Sequence, residues 1–342
     1  MILSSLVFEN DELKILDQTL LPQKIEYKTI TNIDQAIEAI KSLRIRGAPA
    51  IGVMAALSIY VEQKRLVENR QIQSLEEFYN ELNINLKKIS QSRPTAVNLF
   101  YAIERIRGEV LSIAWNDLTE ALKELKKVAL SIFEEDKELC EKIGFWGSQL
   151  VFDGAKILTH CNTGSLATAG KGTALGVIYT AVEQNKKIFV YNTETRPLLQ
   201  GSRLTSFELQ YAKIPNMLIT DNMVASLFAN KEIDMVLVGA DRIARNGDTA
   251  NKIGTLGIAI LSQYFSVPFY VVAPSTSIDT SIPDGSHIPI EFRRPDEVRN
   301  FRDCISSPPD VEVYNPAFDI TPSHLITGII TEMGIFRYPY QF

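Results

Sequence analysis

The spacing of apolar positions changes character twice along the chain. Residues 12–30 carry turn signals at Asp17-Gln18 and Leu21-Pro22-Gln23, and Lys24 to Lys28 alternate between polar and apolar side chains. A period of two places successive side chains on opposite faces, so this stretch predicts a small antiparallel β element. From Ile33 to about Phe145 the spacing becomes helical, with Leu-, Ala- and Glu-rich amphipathic segments broken at Arg46-Gly47-Ala48-Pro49 and at Ser92-Arg93-Pro94-Thr95. From Ala155 onward, short apolar runs at 155–159, 187–191, 216–220, 234–238 and 268–273 alternate with helical stretches at 173–185, 203–212, 222–230 and 252–265. That alternation predicts a parallel sheet with helices on both faces. The tail, Tyr314 to Asp319 and then a helix from about Ser323 to Met333, is expected to add a last layer.

The fold class is therefore α/β. A C-terminal Rossmann-like, doubly wound parallel sheet over 146–342 follows an N-terminal, mainly helical domain over 1–145 that carries the small antiparallel β element. At 342 residues the chain is long enough for two cores, and 45% apolar with 22% charged residues is ordinary for a soluble globular protein. The 35 basic and 41 acidic side chains leave a net charge of −6 and only short cationic runs, so nucleic acid is not an expected partner. Cys140, Cys161 and Cys304 form neither an even-numbered disulfide framework nor a Cys-x-x-Cys pair, which fits a cytoplasmic protein. No apolar run reaches the length of a membrane span and no signal peptide is seen, so no membrane partner is expected. His160, His287 and His324 are too scattered for a zinc site; no metal is expected.

The candidate chemistry lies where two strand-like runs end. Ala155 to Leu158 leads into His160-Cys161 and a glycine-studded loop, and Asp234 to Val238 leads into Gly239-Ala240-Asp241. Active sites of wound α/β sheets sit at such strand ends. The glycine loop fails as a P-loop, because five residues separate Gly164 from Gly170 and Lys171 is followed by Gly172 rather than Ser or Thr. As a dinucleotide fingerprint, Gly170, Gly172 and Gly176 are spaced one residue too wide. A backbone-amide nest for a phosphate monoester, built on Asn162, Thr163, Gly164 and Ser165, fits better, and a ligand-free turn is the plain alternative. Cys161 follows its strand rather than sitting inside it, a setting in which cysteines are reactive rather than simply buried. Asp241 is either a functional carboxylate or a cap, a role for which Asp248 and Asn251 compete before the helix at Lys252. Arg46-Gly47-Ala48-Pro49 and Arg93-Pro94-Thr95 each offer a cation beside free amides, and the loop from Thr193 to Arg203 is polar. Several polar loops with a Cys and an Asp at one sheet edge favour a polyhydroxylated phosphate as ligand.

Six motifs carry a family resemblance: RGAPAIG at 46–52, SRPTAVNL at 92–99, THCNTGSLATAG at 159–170, ETRPLLQGSRLT at 194–205, GADRIARNGDTANKIGT at 239–255 and NPAFDITP at 315–322. Together they resemble the methylthioribose-1-phosphate isomerase family, which shares its fold group with ribose-1,5-bisphosphate isomerases and the regulatory subunits of translation initiation factor 2B. The resemblance implies that Cys161 and Asp241 are the catalytic pair and that Arg46, Gly47, Ala48, Arg93, Gln200, Asn251 and Lys252 bind substrate. It further implies a cofactor-independent aldose–ketose isomerase in methionine salvage, a sugar-phosphate substrate and a homodimer. In an aldose 1-phosphate the phosphate blocks the anomeric oxygen, so the ring oxygen must be protonated while C1 and C2 rearrange. Asp241 suits that general-acid role, and Cys161 assists hydrogen transfer from C2. One departure stands out: CEKIGFWG at 140–147 places Trp146 where a histidine is expected. Three alternatives remain open: an isomerase of 5-deoxyribose 1-phosphate, a non-catalytic regulatory module of the initiation factor 2B type, and a nicotinamide-dependent dehydrogenase.

Overall fold

The computed structural model describes residues 2–93, 96–301 and 304–342, so Pro94 and Thr95 of the second motif lie outside the described residues. The chain forms two compact units. One comprises Leu3–Cys140 together with Ser165–Gly172; the other holds Glu141–Gly164 and Thr173–Phe342.

The helical unit begins with three antiparallel strands, β1 (Leu6–Glu9), β2 (Glu12–Leu16) and β3 (Tyr27–Ile30), in that spatial order. The predicted β element is present, but it starts earlier than expected, and of the alternating stretch Lys24 to Lys28 only the end enters a strand. Helices α1 (Ile33–Lys41), α2 (Ala48–Glu68), α3 (Leu75–Ser90), α4 (Val97–Ile106) and α5 (Leu118–Ser148) follow. Their starts are written in local chemistry. Asn32 accepts the Gln35 N–H to cap α1, and Ser74 and Glu77 form a reciprocal capping box on α3. Helix α2 differs, since it is buried nearly all round and no side chain caps its N-terminus. It lies tightly against α4: a Cβ on Gly52 would stand 2.5 Å from the Asn98 carbonyl oxygen.

The sheet unit contains β4 (Lys156–Thr159), α6 (Ala174–Glu183), β5 (Phe189–Thr193), α7 (Ser206–Tyr211), β6 (Asn216–Ile219), α8 (Val224–Ala229), β7 (Met235–Val238), β8 (Arg242–Ala244), β9 (Thr249–Lys252), α9 (Thr255–Tyr264) and β10 (Phe269–Val272). Beyond these come β11 (Ile278–Asp279), α10 (Asp296–Arg299), the short pair β12 (Asn300–Phe301) and β13 (Cys304–Ile305), then β14 (Phe318–Thr321), β15 (Gly328–Thr331) and β16 (Gly334–Phe336). The main sheet runs β16-β15-β10-β7-β4-β5-β6, all parallel except β16. Read from β6 to β15, this is the 3-2-1-4-5-6 order of the doubly wound fold, and the order reverses between β4 and β7. Both faces of the sheet are buried from β15 through β5. Ile157, Val190, Leu237 and Val272 pack on one side with α6, while Leu158, Tyr191, Val236 and Val271 pack on the other with residues of α8 and α9. Such strands read as continuous apolar runs because neither face meets water.

The expected helix from Ser323 to Met333 is not formed. A single 3-10 turn at Ser323–Leu325 leads into β15, which adds to β10 in parallel and turns back through β16. Gly328-Ile329-Ile330-Thr331 is a buried β-type run, and burial beside β10 decides a segment whose apolar spacing alone also suits a helix.

Candidate active site at the strand crossover

Cys161 and Asp241 follow β4 and β7, the neighbouring strands where the order reverses. In an open wound sheet that crevice is where ligands bind. The register pairs Thr159 with Leu237, which brings the two following loops level with each other. Gly239 permits the approach, since a Cβ there would stand 2.8 Å from the Thr163 methyl.

The loop after β4 is held by side chains from elsewhere in the unit. Cys161 is buried and adopts φ 64°, its N–H donates to Thr195 Oγ1 (2.9 Å), and its carbonyl accepts from Thr205 Oγ1 (2.5 Å). Asn162 Nδ2 donates to Thr205 Oγ1 and to Glu208 Oε1, both at 3.2 Å. Glu208, itself buried, also accepts from the Tyr179 hydroxyl at 2.9 Å and lies so close under the loop that a Cβ on Gly164 would collide with its carboxylate. His160 is fully enclosed, with Nδ1 2.6 Å from Thr193 Oγ1 and Nε2 2.9 Å from the Ile253 carbonyl. Burial pushes its pKa below the ordinary value, against an opposing pull from Asp221, so the ring is neutral. The helix after this loop begins only at Ala174, and a 3-10 turn at Ser165–Ala167 intervenes. Asn162 to Ser165 are therefore not the first turn of a helix, and the expected nest at a helix N-terminus is replaced by a cross-braced loop.

The loop after β7 is a hairpin. β8 pairs antiparallel with β9, matching Arg242 to Ala250, and the Asp241 N–H donates to the Ala250 carbonyl at 2.9 Å. That bond ties Asp241 to Ala250, which Asn251 and Lys252 follow directly along β9. Asp241 is half-buried. Asn251 is buried and donates to Thr255 Oγ1 (3.0 Å); Lys252 Nζ donates to the Ala317 carbonyl (3.0 Å) and sits 4.7 Å above the Phe318 ring. Neither Asp248 nor Asn251 caps α9. That role falls to Asp319 of β14, which accepts from the Gly254 and Leu256 amides, while Asp248 accepts from Gly285 and Ser323. Burial pushes the Asp319 carboxyl up to about 6 despite those two amides. Gln200, at the entry to a π turn over Gly201–Thr205, is buried with no partner for Oε1, and Thr163 Oγ1 is in the same condition. Each can still take up a hydrogen bond from a ligand.

The remaining sequence-derived candidates stand on the helical unit. Arg46 is buried, Gly47 has φ 97° at the N-cap of α2, and Ala48 opens that helix with Pro49 behind it. A Cβ on Gly47 would lie 2.5 Å from the Ala167 backbone, so this corner admits only glycine. Segment 165–172 is tied down within this unit: Gln18 Nε2 donates to the Leu166 carbonyl (2.7 Å), Ser5 Oγ to that of Thr168 (2.6 Å), and the Ala169 N–H to Asp136 Oδ2 (2.6 Å). Arg93 follows α3 and is half-buried.

The Initiation factor 2 subunit family matches residues 44–338. The chain belongs to that family. Within the family it is similar to methylthioribose-1-phosphate isomerase of Trichlorobacter lovleyi, 46% identical over 97% of this chain and 95% of the relative. It is equally similar to 5-deoxyribose 1-phosphate isomerase of Moorella thermoacetica, 46% identical over 98% and 94%. Among solved structures, 5-methylthioribose 1-phosphate isomerase of Pyrococcus horikoshii OT3 superposes with a TM-score of 0.90 at 38% identity, covering 98% of this chain and 93% of that one. A structure named as translation initiation factor eIF-2B subunit delta of A. fulgidus gives 0.88 at 40% identity, covering 99% and 97%. The isomerase names place the chain among the enzymes of the Initiation factor 2 subunit family.

Trp146, the departure from the family's expected pattern, packs against the core of the sheet unit, donates its indole N–H to the Glu332 carbonyl (3.2 Å) and meets Phe145 edge-on. Phe145 itself is more than half exposed, at 55%. Sequence reasoning passed over Thr195, Thr205, Glu208 and Asp221. The first three lie in or just after the quoted motif at 194–205, but a threonine or glutamate in a loop carries no signal of which backbone group it will meet.

Proposed function

We propose that the chain converts 5-methylthioribose 1-phosphate to 5-methylthioribulose 1-phosphate in methionine salvage. The observation that carries the reading is the placement of Cys161 and Asp241 at the ends of the two strands flanking the reversal of strand order, together with relatives named for this reaction. Asp241 gives a proton to the ring oxygen as the C1–oxygen bond breaks. Cys161 then receives a proton: from C2, leaving a phosphoenol that takes a proton at C1 and gives its C2 hydroxyl proton to the Asp241 carboxylate, or from the C2 hydroxyl while hydride moves from C2 to C1. Either course leaves a C2 ketone and a C1 that still bears phosphate. Lys252 and Asn251 bind alongside Asp241, and Gln200 accepts a substrate hydroxyl. Arg46, Gly47, Ala48 and Arg93 are assigned to the phosphate on their motifs, with a guanidinium and helix-start amides suiting a dianion. A homodimer in the cytoplasm belongs to the same reading.

The test is phosphorus and proton NMR of the purified protein with 5-methylthioribose 1-phosphate and, separately, 5-deoxyribose 1-phosphate and ribose 1,5-bisphosphate. Conversion of the first without added cofactor is expected; binding without conversion of any of the three overturns the enzyme reading in favour of a regulatory module. Deuterium at C2 separates the routes, since hydride transfer carries the label to C1 and the proton route exchanges it with solvent. The relative named 5-deoxyribose 1-phosphate isomerase favours that sugar as a second substrate, and the ratio of the two kcat/KM values ranks them.

A further inference from the structure

The hydrogen bonds that leave Cys161 all run one way. The Ile253 carbonyl can only accept, so His160 Nε2 carries the ring proton, and in the neutral imidazole Nδ1 accepts from the Thr193 hydroxyl. That uses the Thr193 proton, so the Thr195 hydroxyl, 3.1 Å away, donates to Thr193 and turns a lone pair to the Cys161 N–H. On the other side of the residue, Thr205 donates to the Cys161 carbonyl. Both backbone groups of Cys161 are thus gripped by threonine hydroxyls.

The grip holds two residues in an unusual backbone state. Cys161 and Thr195 each have φ 64°, a region that glycine enters freely and a β-branched residue scarcely at all. Thr195 is kept there because Asp221 accepts the Thr195 and Arg196 N–H groups at 2.8 and 2.7 Å, and because Thr195 is completely buried. Strained residues held by their surroundings mark sites where side-chain direction matters.

We propose that Thr195 is a positioning residue for Cys161: its hydroxyl holds the cysteine backbone left-handed and so aims the thiol at the end of β4. This rests on the role given to Cys161 above. The hydroxyl is the operative group, and the bulk of the side chain is not.

Full-length Thr195→Val, Thr195→Ser and Cys161→Ser are compared by turnover of 5-methylthioribose 1-phosphate. Iodoacetamide labelling of Cys161 is read by mass spectrometry, with exposed Cys304 as the internal reference. Thr195→Val, which keeps the shape and loses the hydroxyl, should lower kcat by about 100-fold with KM within about twofold, because a misaimed reacting group costs rate more than binding. Its Cys161 labelling rate should change while that of Cys304 stays fixed, and Thr195→Ser should restore both properties to within about fivefold of the parent. Parent-like kcat and labelling in Thr195→Val, alongside an inactive Cys161→Ser, overturn the positioning role alone. Equal damage in the Val and Ser variants, with KM rising as kcat falls, also overturns it, since that is what lost packing would do. Parent-like turnover in Cys161→Ser removes the underlying role of the cysteine, and the inference with it. Should Thr195→Val fail to fold, Thr195→Ala, which also lacks the hydroxyl, takes its place, with parent-like kcat and labelling as the refuting result.

Discussion

The loops after β4 and β7 begin level with each other on neighbouring strands, yet they are built in opposite ways. The second makes most of its own support: Arg245-Asn246 turns β8 back toward β9, and the Asp241 N–H is tied to Ala250 across that hairpin. The first has no partner strand of its own. Its backbone is fixed by Thr195, Thr205 and Glu208, all more than thirty residues away, and its continuation at 165–172 by Gln18, Ser5 and Asp136. A loop that pairs with itself survives the loss of one side chain, whereas one braced from outside depends on each brace.

The largest effect should ignore that difference. Cys161→Ser and Asp241→Asn are each expected to lower kcat by about 10³-fold or more while the fold is kept; parent-like turnover in either variant, measured by steady-state kinetics, would refute that residue's role. Next comes Glu208→Ala, which strips the acceptor from the Tyr179 hydroxyl, at about 1–3 kcal/mol, and one of two acceptors from Asn162 Nδ2. Urea unfolding should report the sum of these losses, and a change below about 1 kcal/mol would mean that the first loop needs less bracing than its contacts suggest.

Asp136 sharpens the comparison through pH. Burial pushes its carboxyl from 3.8 up to about 6, even though the Ala169 and Gly170 amides donate to it. The folded state therefore holds this proton more tightly than the unfolded chain does. The resulting stabilisation is complete below 3.8 and is lost as pH rises to about 6, a change that corresponds to about 3 kcal/mol at most. Asp136→Asn should remove that part of the pH slope between 4 and 6 in thermal unfolding, and an unaltered slope would refute the assignment. The smallest effect is expected in the self-supporting loop. Gly247 has φ 87° with the Tyr340 ring 2.4 Å from where a Cβ would stand, so Gly247→Ala should cost about 1–3 kcal/mol of stability, with KM and kcat of the folded enzyme unchanged.

Much of the fold was legible because its signals are local. Strand runs at 155–159, 216–220, 234–238 and 268–273 each contain an observed strand and 187–191 overlaps β5, which runs on to Thr193; the central strands are buried on both faces and so are largely apolar. Capping residues such as Ser74 and Glu77 mark helix starts within four positions of themselves. The tail misled because Gly328 to Thr331 is apolar without a decisive period, and only the open edge of β10 selects the strand. Asp319 was likewise invisible as a cap, because the helix it serves begins more than sixty residues earlier.

By itself, then, the sequence determined the α/β alternation, the antiparallel β element and helices ahead of it, and, through six motifs, the family and the identity of the candidate residues. The tertiary structure alone decided how Cys161 is held and that Asp241 is tied to Ala250 across a hairpin. It also decided that the glycine-studded loop leaves the sheet for the other unit rather than turning straight into a helix. The physical reason is range. Periodicity and capping act over a few residues and are written where they act, whereas a hydroxyl such as that of Thr195 acquires its partner only when two distant strand ends are brought side by side.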